Sequence, residues 1–279
     1  MRVLDVKEII PTIRQLCIDA NYHPEGSLMT MLKKAKNNED SNLGKSILSQ
    51  IIENDEIATR DFVPMCQDTG IVVVFAEIGT GLALTGNLEE AINEGVRQGY
   101  EDGYLRKSVV GHPLDRVNTK DNTPAIIHFK VVSGDELKIT LAPKGAGSEN
   151  MSALRMLKPS DGYLGVKAAV IDAVKEAGGN ACPPIIVGVG VGGNFEKSAL
   201  IAKEALMRPL EDQSVDPIAA RLEAELLEEL NQLNIGPMGF GGKTTALAVK
   251  VETYPCHIAS LPVAINIQCH ASRHLSHTF

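Results

Sequence analysis

Between Ser160 and Met207 the sequence changes its period twice. SDGYLGVKAAVIDAVKEAGG opens on helix-capping residues and stops at paired glycines. CPPIIVGVGVGG is a β-branched run ending in glycines, and NFEKSALIAKEALM returns to helical spacing. A helix, a strand and a second helix in direct succession point to a mixed α/β class, because a strand of this apolarity must be covered.

The flanking sequence extends that pattern. Ile9, Ile13, Leu16 and Cys17 share one helical face, and LGKSILSQIIEND repeats the spacing. MRVLDVKEIIPTIRQLC therefore reads as helix from its start, and residues 1–60 as mostly helical. IVVVFAEIG is strand-like. Asn87 with Glu90 forms a capping pattern for a helix expected to reach about Arg106. AIIHFKVVS and ELKITLAPK are expected to pair as a β-hairpin through a type II′ turn at Gly134-Asp135. Asp216, Pro217 and Gly236 bound a further helix, and TTALAVKVETY and LPVAINIQ read as closing strands. No linker or repeat divides the chain. The expectation is one α/β domain over 1–279, with a helical N-terminal section and small sheets flanked by helices.

Composition removes several function classes. The 279 residues carry a net charge of -8 without a Lys/Arg block, which argues against nucleic acid and anionic membranes as partners. No apolar run approaches the roughly 20 residues that span a bilayer. The N-terminus interrupts its apolar residues with charges, unlike a signal peptide. Five cysteines make an odd count, so structural disulfides are not expected and metal binding or catalysis becomes worth testing. The expected compartment is the cytoplasm.

Two glycine motifs mislead. Gly188, Gly190 and Gly193 satisfy G-x-G-x-x-G, but late in the chain and after Cys-Pro-Pro; a tight strand–helix connection explains them as well. GPMGFGGKTT imitates a phosphate-binding loop, yet the position that requires the first glycine is Pro237. That motif fails.

Cys17 belongs to an apolar helical stripe and reads as core. Cys66 precedes Gln67-Asp68-Thr69-Gly70, Cys182 precedes two prolines, Cys256 lies beside His257, and Cys269 opens CHASRH. Single, widely spaced cysteines do not form a zinc ribbon. Spacing alone leaves two readings open, an iron-sulfur cluster gathered from distant thiolates or a set of buried free thiols.

CQDTG, PKGAGSEN, LKPSDGYLGV, NACPPIIVGVGVGG, NIGPMGFGGKTTALAVKVE and PCHIASLPVAINIQCHASRH occur in the order that resembles the α part of iron-sulfur class I fumarases. The chain is similar also to the related L-tartrate dehydratase α subunits, although CHASRH and PCHIASLP look more like fumarase. The resemblance implies a [4Fe-4S] cluster on Cys66, Cys182 and Cys269, with one iron lacking a protein ligand. That iron would act as a Lewis acid on the substrate hydroxyl and carboxylate. It implies substrate contacts from Gln67, Asp68, Arg106, Gly147, Asn150 and His257, with Asp68 as proton donor or acceptor. Read without the family, Asp68 is an Asx-turn residue, Arg106 a solvated charge and His257 a satisfied buried histidine. Arg273 and His274 are expected to do no more than support the site.

The implied activity is reversible hydration of fumarate to L-malate by the alpha subunit of a hydro-lyase. L-Tartrate dehydration is the alternative, and a non-catalytic iron-sulfur regulator the competitor from another class. A C4 dicarboxylate needs more cations than this chain supplies, because charge grows on it as water leaves. The sequence stops ten residues after Cys269. The expectation is therefore a separately encoded beta subunit that completes the active site, in an α₂β₂ assembly.

Overall fold

The computed structural model describes residues 1–279. Its elements begin with β1 (Arg2–Asp5), α1 (Ile10–Tyr22), α2 (Gly26–Asn38), α3 (Asn42–Asp61), β2 (Ile71–Gly79), β3 (Leu82–Thr85) and α4 (Leu88–Asp102). There follow β4 (Ile126–Val132), β5 (Leu137–Lys144), α5 (Ala146–Glu149), β6 (Ala153–Leu157) and α6 (Gly162–Ala177). The last are β7 (Ile185–Gly192), α7 (Phe195–Ala205), α8 (Pro217–Asn231), β8 (Ala246–Tyr254), β9 (Leu261–Gln268) and β10 (Leu275–Thr278). The class is mixed α/β, as the sequence implied. No helix is long and apolar enough to cross a membrane.

The chain forms two compact units whose segments interleave. One comprises residues 1–24, 55–146 and 273–279, the other residues 25–54 and 147–272. Interleaving explains why no linker marks a boundary in the sequence.

In the first unit a four-stranded sheet runs β10-β5-β2-β4, with β1 and β3 paired separately. Three sequence expectations are corrected here. The β4–β5 hairpin does not form: β2 lies between them, parallel to β4 and antiparallel to β5. The most apolar strand takes the centre, where Val72, Val73 and Val74 are buried. The Gly134 connection arches over the end of β2 instead, Gly81 N–H donating to Gly134 O at 2.7 Å and Gly79 N–H to Glu136 O at 2.9 Å. The extreme N-terminus is strand β1 rather than helix, because it pairs with β3 in register from Arg2↔Leu82. A 3-10 turn at Val6–Ile9, capped by Asp5, leads from it into α1. Finally, α4 ends at Asp102 with Gly103 at its cap, and Tyr104 turns left-handed at φ 48°, so Arg106 lies in the following loop. Ile9 from the 3-10 turn, Ile13 from α1, Ile92 and Val96 from α4 and the inward residues of β2 and β5 share one core.

In the second unit the order is β6-β9-β7-β8. Central β7 is apolar on both faces. Val187 and Val189 meet Val170 and Val174 of α6 and Leu222 and Leu226 of α8. Ile186 faces the other way, into a cluster with Leu28 and Leu32 of α2 and Leu206. Gly188 and Gly190 sit within β7. A Cβ on either would lie 2.2 Å from Ala202 O or 2.1 Å from Ser198 O, so α7 lies directly on the strand. The G-x-G-x-x-G match serves helix–strand packing.

Candidate active site

The loop entering β2 carries Cys66, Gln67 and Asp68. Gln67 is exposed and its amide has no hydrogen-bond partner; Cys66 and Asp68 are half-buried. Asp68 Oδ1 accepts the Gly70 N–H at 3.0 Å, which closes an Asx turn. Its Oδ2 accepts the Ala146 N–H at 2.8 Å, directly before Gly147 in the chain. The buried Thr69 hydroxyl donates to Arg106 O at 2.9 Å. That bond couples Arg106, exposed and without an ion-pair partner, to the cysteine loop.

Beneath the loop lies a polar network. Arg273, 4% exposed, donates from Nη1 to Asp68 O at 2.8 Å and to Asn21 Oδ1 at 2.9 Å. Asn21 Nδ2 donates in turn to Cys17 O at 2.9 Å. Tyr100, fully buried, donates to Thr69 O at 2.6 Å and Gly70 O at 3.1 Å. Burial pushes its hydroxyl pKa far up, which keeps it protonated and donating. Asn122 Nδ2 donates to Gly70 O at 3.1 Å. Carbonyls 68, 69 and 70 are thus all held from below.

The second unit collects four candidates at one end of its sheet. β7 and β9 are antiparallel, with Ile186 opposite Gln268, so Cys182 before β7 and Cys269 after β9 share an edge. His270 N–H donates to Cys182 O at 3.4 Å. Cys182 is left-handed at φ 54°, uncommon for a residue with a Cβ and a mark of a conformation imposed by its surroundings. Gln268 Nε2 lies 3.6 Å from Cys269 Sγ as a donor. Gly147 and Asn150, both exposed, belong to a turn at the same end. β6 pairs with β9 from Ala153↔Ile265, and Ser152 Oγ accepts the Ile267 N–H at 3.0 Å. Glu149 within the turn is gripped by Lys203 at 2.5 Å and Asn266 at 2.9 Å.

His257 is not brought to this end. It lies on the β8–β9 loop, where β9 begins. The length of β9, roughly 24 Å at ~3.4 Å per residue, separates it from Cys269. It is exposed, and its Nδ1 accepts the Ala259 N–H at 3.1 Å. Nearby is an apolar cavity of about 390 Å³ lined by Tyr163, Val166, Ile218, Leu222 and Ile258.

The other cysteines differ from these three. Cys17 is fully buried and burial pushes its thiol pKa up, while Cys256 is exposed and donates to Ser260 O at 3.3 Å. No group of three or more His, Cys, Asp or Glu side chains converges on a single-ion site.

Compared with known proteins, residues 10–278 match the family described as Fumarate hydratase (Fumerase). The chain belongs to that family. A Methanocaldococcus jannaschii protein, provisionally named L(+)-tartrate dehydratase subunit alpha, is 45% identical over 98% of this chain and 96% of its own length. The L(+)-tartrate dehydratase subunit alpha of Escherichia coli UTI89 is 34% identical, covering 87% of this chain and 81% of its own length. The K12 protein of the same name is 33% identical with the same coverage. Both names describe hydro-lyases, enzymes that add water across a carbon–carbon double bond or remove it to form one. The relatives carry the name given to the alternative substrate, not to fumarate.

Asn21, Tyr100 and Asn122 help to hold the CQDTG loop, and none of them stood out as a site residue in the sequence. Each sits in an unremarkable local pattern, and only the fold brings it to the loop. Arg273 had a signal, its nearness to Cys269, but not the partner it proves to hold.

Proposed function

We propose that the chain is the alpha subunit of a two-subunit iron-sulfur hydro-lyase acting on a four-carbon dicarboxylate, with L(+)-tartrate the first substrate. One observation carries the reading: a single loop system presents a soft ligand with groups suited to a diacid. These are Cys66, the unpartnered Gln67 amide, the Asp68 carboxylate and, tied in through Thr69, the unpaired Arg106. Arg106 binds one substrate carboxylate through its planar fork. Gln67, Asn150 and the exposed backbone at Gly147 donate to the remaining oxygens. Asp68, oriented by Gly70 and Ala146, gives or takes the proton that accompanies loss or addition of water. His257 lies too far from the cysteine end of its own unit for this group.

Cys66, Cys182 and Cys269 would hold the [4Fe-4S] cluster. The donor set suits it: three half-buried thiols outside any disulfide, one of them receiving the Gln268 N–H. A cluster would not require three donors around one ion. When bound, the cluster supplies an open Lewis-acid position for the substrate hydroxyl and carboxylate.

The names of the relatives favour tartrate, and they imply a beta partner. The family description, with the PCHIASLP and CHASRH segments, favours a second reading, fumarate hydration to L-malate. The test is anaerobic reconstitution with iron and sulfide, alone and with the beta subunit, followed by assays on L-tartrate, fumarate and malate. Turnover of L-tartrate only with the partner is expected. A higher kcat/KM on fumarate selects the second reading, and no turnover on any of the three defeats the hydro-lyase assignment.

A further inference from the structure

The loop that imitates a phosphate-binding motif, NIGPMGFGGKTT, is occupied by a side chain of the protein itself. Glu39, 1% exposed, closes α2, whose Leu28, Leu32 and Ala35 seat the helix in the cluster with Ile186, Leu247 and Ala248. Glu39 Oε2 accepts the Lys243 N–H at 2.8 Å. Its Oε1 accepts the N–H groups of Asp40 at 3.0 Å and Ser41 at 3.1 Å. The fit is close: a Cβ on Gly242, itself at φ 128°, would lie 2.7 Å from Oε2. The Lys243 ammonium meets Asp40 at 2.5 Å, which fastens the same junction a second time. A carboxylate thus sits against the backbone N–H of the loop.

The far side of this loop bears on Cys182. Met238 N–H donates to Pro183 O at 2.7 Å. Gly239 packs on Gly179 so tightly that a Cβ on Gly239 would lie 2.6 Å from Gly179 Cα. Gly179 O accepts the Cys182 N–H at 3.1 Å. Within the loop, Gly241 N–H donates to Ile235 O at 2.8 Å and Gly242 N–H to Asn234 Oδ1 at 3.0 Å, so the two sides are cross-braced. Every link between Glu39 and the left-handed backbone of Cys182 is a hydrogen bond or a backbone contact.

We propose that Glu39 is a positioning residue for Cys182: its carboxylate fixes the 236–243 loop, and the loop fixes the 179–183 turn that presents the thiol. The inference rests on the reading of Cys182 as a cluster ligand. Its consequence for the protein without a cluster is separate, namely that the exposure and reactivity of one particular thiol depend on a carboxylate far away in sequence.

The experiment measures alkylation of each cysteine by iodoacetamide, resolved by mass spectrometry, in the full metal-free chain. Wild type is compared with E39Q, E39A and G242A, the last displacing the carboxylate from the loop side. Cys182 should react at a rate altered by about threefold or more, with Cys66 and Cys256 unchanged, because thiol reactivity follows local exposure and electrostatics. E39Q, which keeps the shape and one acceptor oxygen, should move in the same direction by less. After anaerobic reconstitution with the partner subunit and one-electron reduction by dithionite, the electron paramagnetic resonance line shape should shift at unchanged iron content. If E39A fails to fold, E39Q and G242A decide. A Cys182 rate that moves no more than that of Cys256 in those two variants overturns the inference. A wild-type chain that takes up no cluster, with the Cys182-specific effect intact, overturns the functional reading instead and leaves the Glu39 coupling standing.

Discussion

The Arg273 guanidinium donates to the Asp68 carbonyl at 2.8 Å, joining residues 205 positions apart in the chain. Asn21 Oδ1 accepts a second bond from the same nitrogen at 2.9 Å. The cation is buried, and its two acceptors are neutral oxygens. Arg273→Lys should therefore be poorly tolerated, since a buried ammonium is more strongly hydrated than a guanidinium and its flexible stem does not fix a nitrogen where the planar group holds Nη1. A loss of ~2 kcal/mol in stability is expected, the range for a buried hydrogen bond to a charged group. Urea denaturation reads it directly. A Lys variant as stable as wild type would show that the network under the CQDTG loop is dispensable.

Asp68→Asn and Arg106→Lys should separate chemistry from binding. The Asn variant can still close the turn to Gly70, yet it cannot exchange a proton. Turnover should fall by about 10²–10⁴ while cluster content is retained. Arg106→Lys should chiefly raise KM for the dicarboxylate, because the fork is lost and the charge kept. Steady-state kinetics on the αβ complex test both. Near-normal kcat in the Asn variant would return Asp68 to the role of a turn residue.

The cysteines divide by environment. Cys66→Ser, Cys182→Ser and Cys269→Ser should each lower iron content and visible absorption after anaerobic reconstitution. Cys17→Ser and Cys256→Ser should leave both intact, one being sealed in the core and the other exposed at the β8–β9 loop. Full cluster retention in Cys182→Ser would sink the ligand assignment.

A pH dependence follows from an ion network in the second unit. Lys250, 2% exposed, meets Asp212 at 2.8 Å, and Arg208 bonds both Asp212 at 3.0 Å and the buried Glu223 at 2.8 Å. Burial opposes ionisation of Asp212, but the hydrogen bonds from Arg208 and Lys250 outweigh it and hold its pKa below the usual carboxylate value. A folded-state pKa below the unfolded one gives stability that is complete above the unfolded value of about 3.9. That stability is lost as pH falls through the folded value. Tm should consequently drop below about pH 4 in wild type. Asp212→Asn should start lower and show a flatter acid limb. Parallel curves for the two proteins would exclude Asp212 as the titrating group.

The sequence by itself determined the local elements and the chemical inventory. Alternating strand and helix signals gave the mixed α/β class. The CQDTG, PKGAGSEN and CHASRH segments gave the family and the residues worth testing. Pairing was another matter, because strand register depends on which apolar faces meet. β2 displaced the expected β4–β5 hairpin since its apolar run, Ile71 to Ala76, is best satisfied between two neighbours. Long-range polar contacts were equally hidden. Neither Arg273 on the Asp68 carbonyl nor Glu39 against the Lys243 N–H leaves a mark in local sequence. A buried charge reveals its partner only when the fold has removed water from around it and one acceptor or donor remains within reach. His257 makes the same point in reverse. Beside a cysteine in sequence and only twelve residues before Cys269, it is carried by strand β9 to the other end of the sheet.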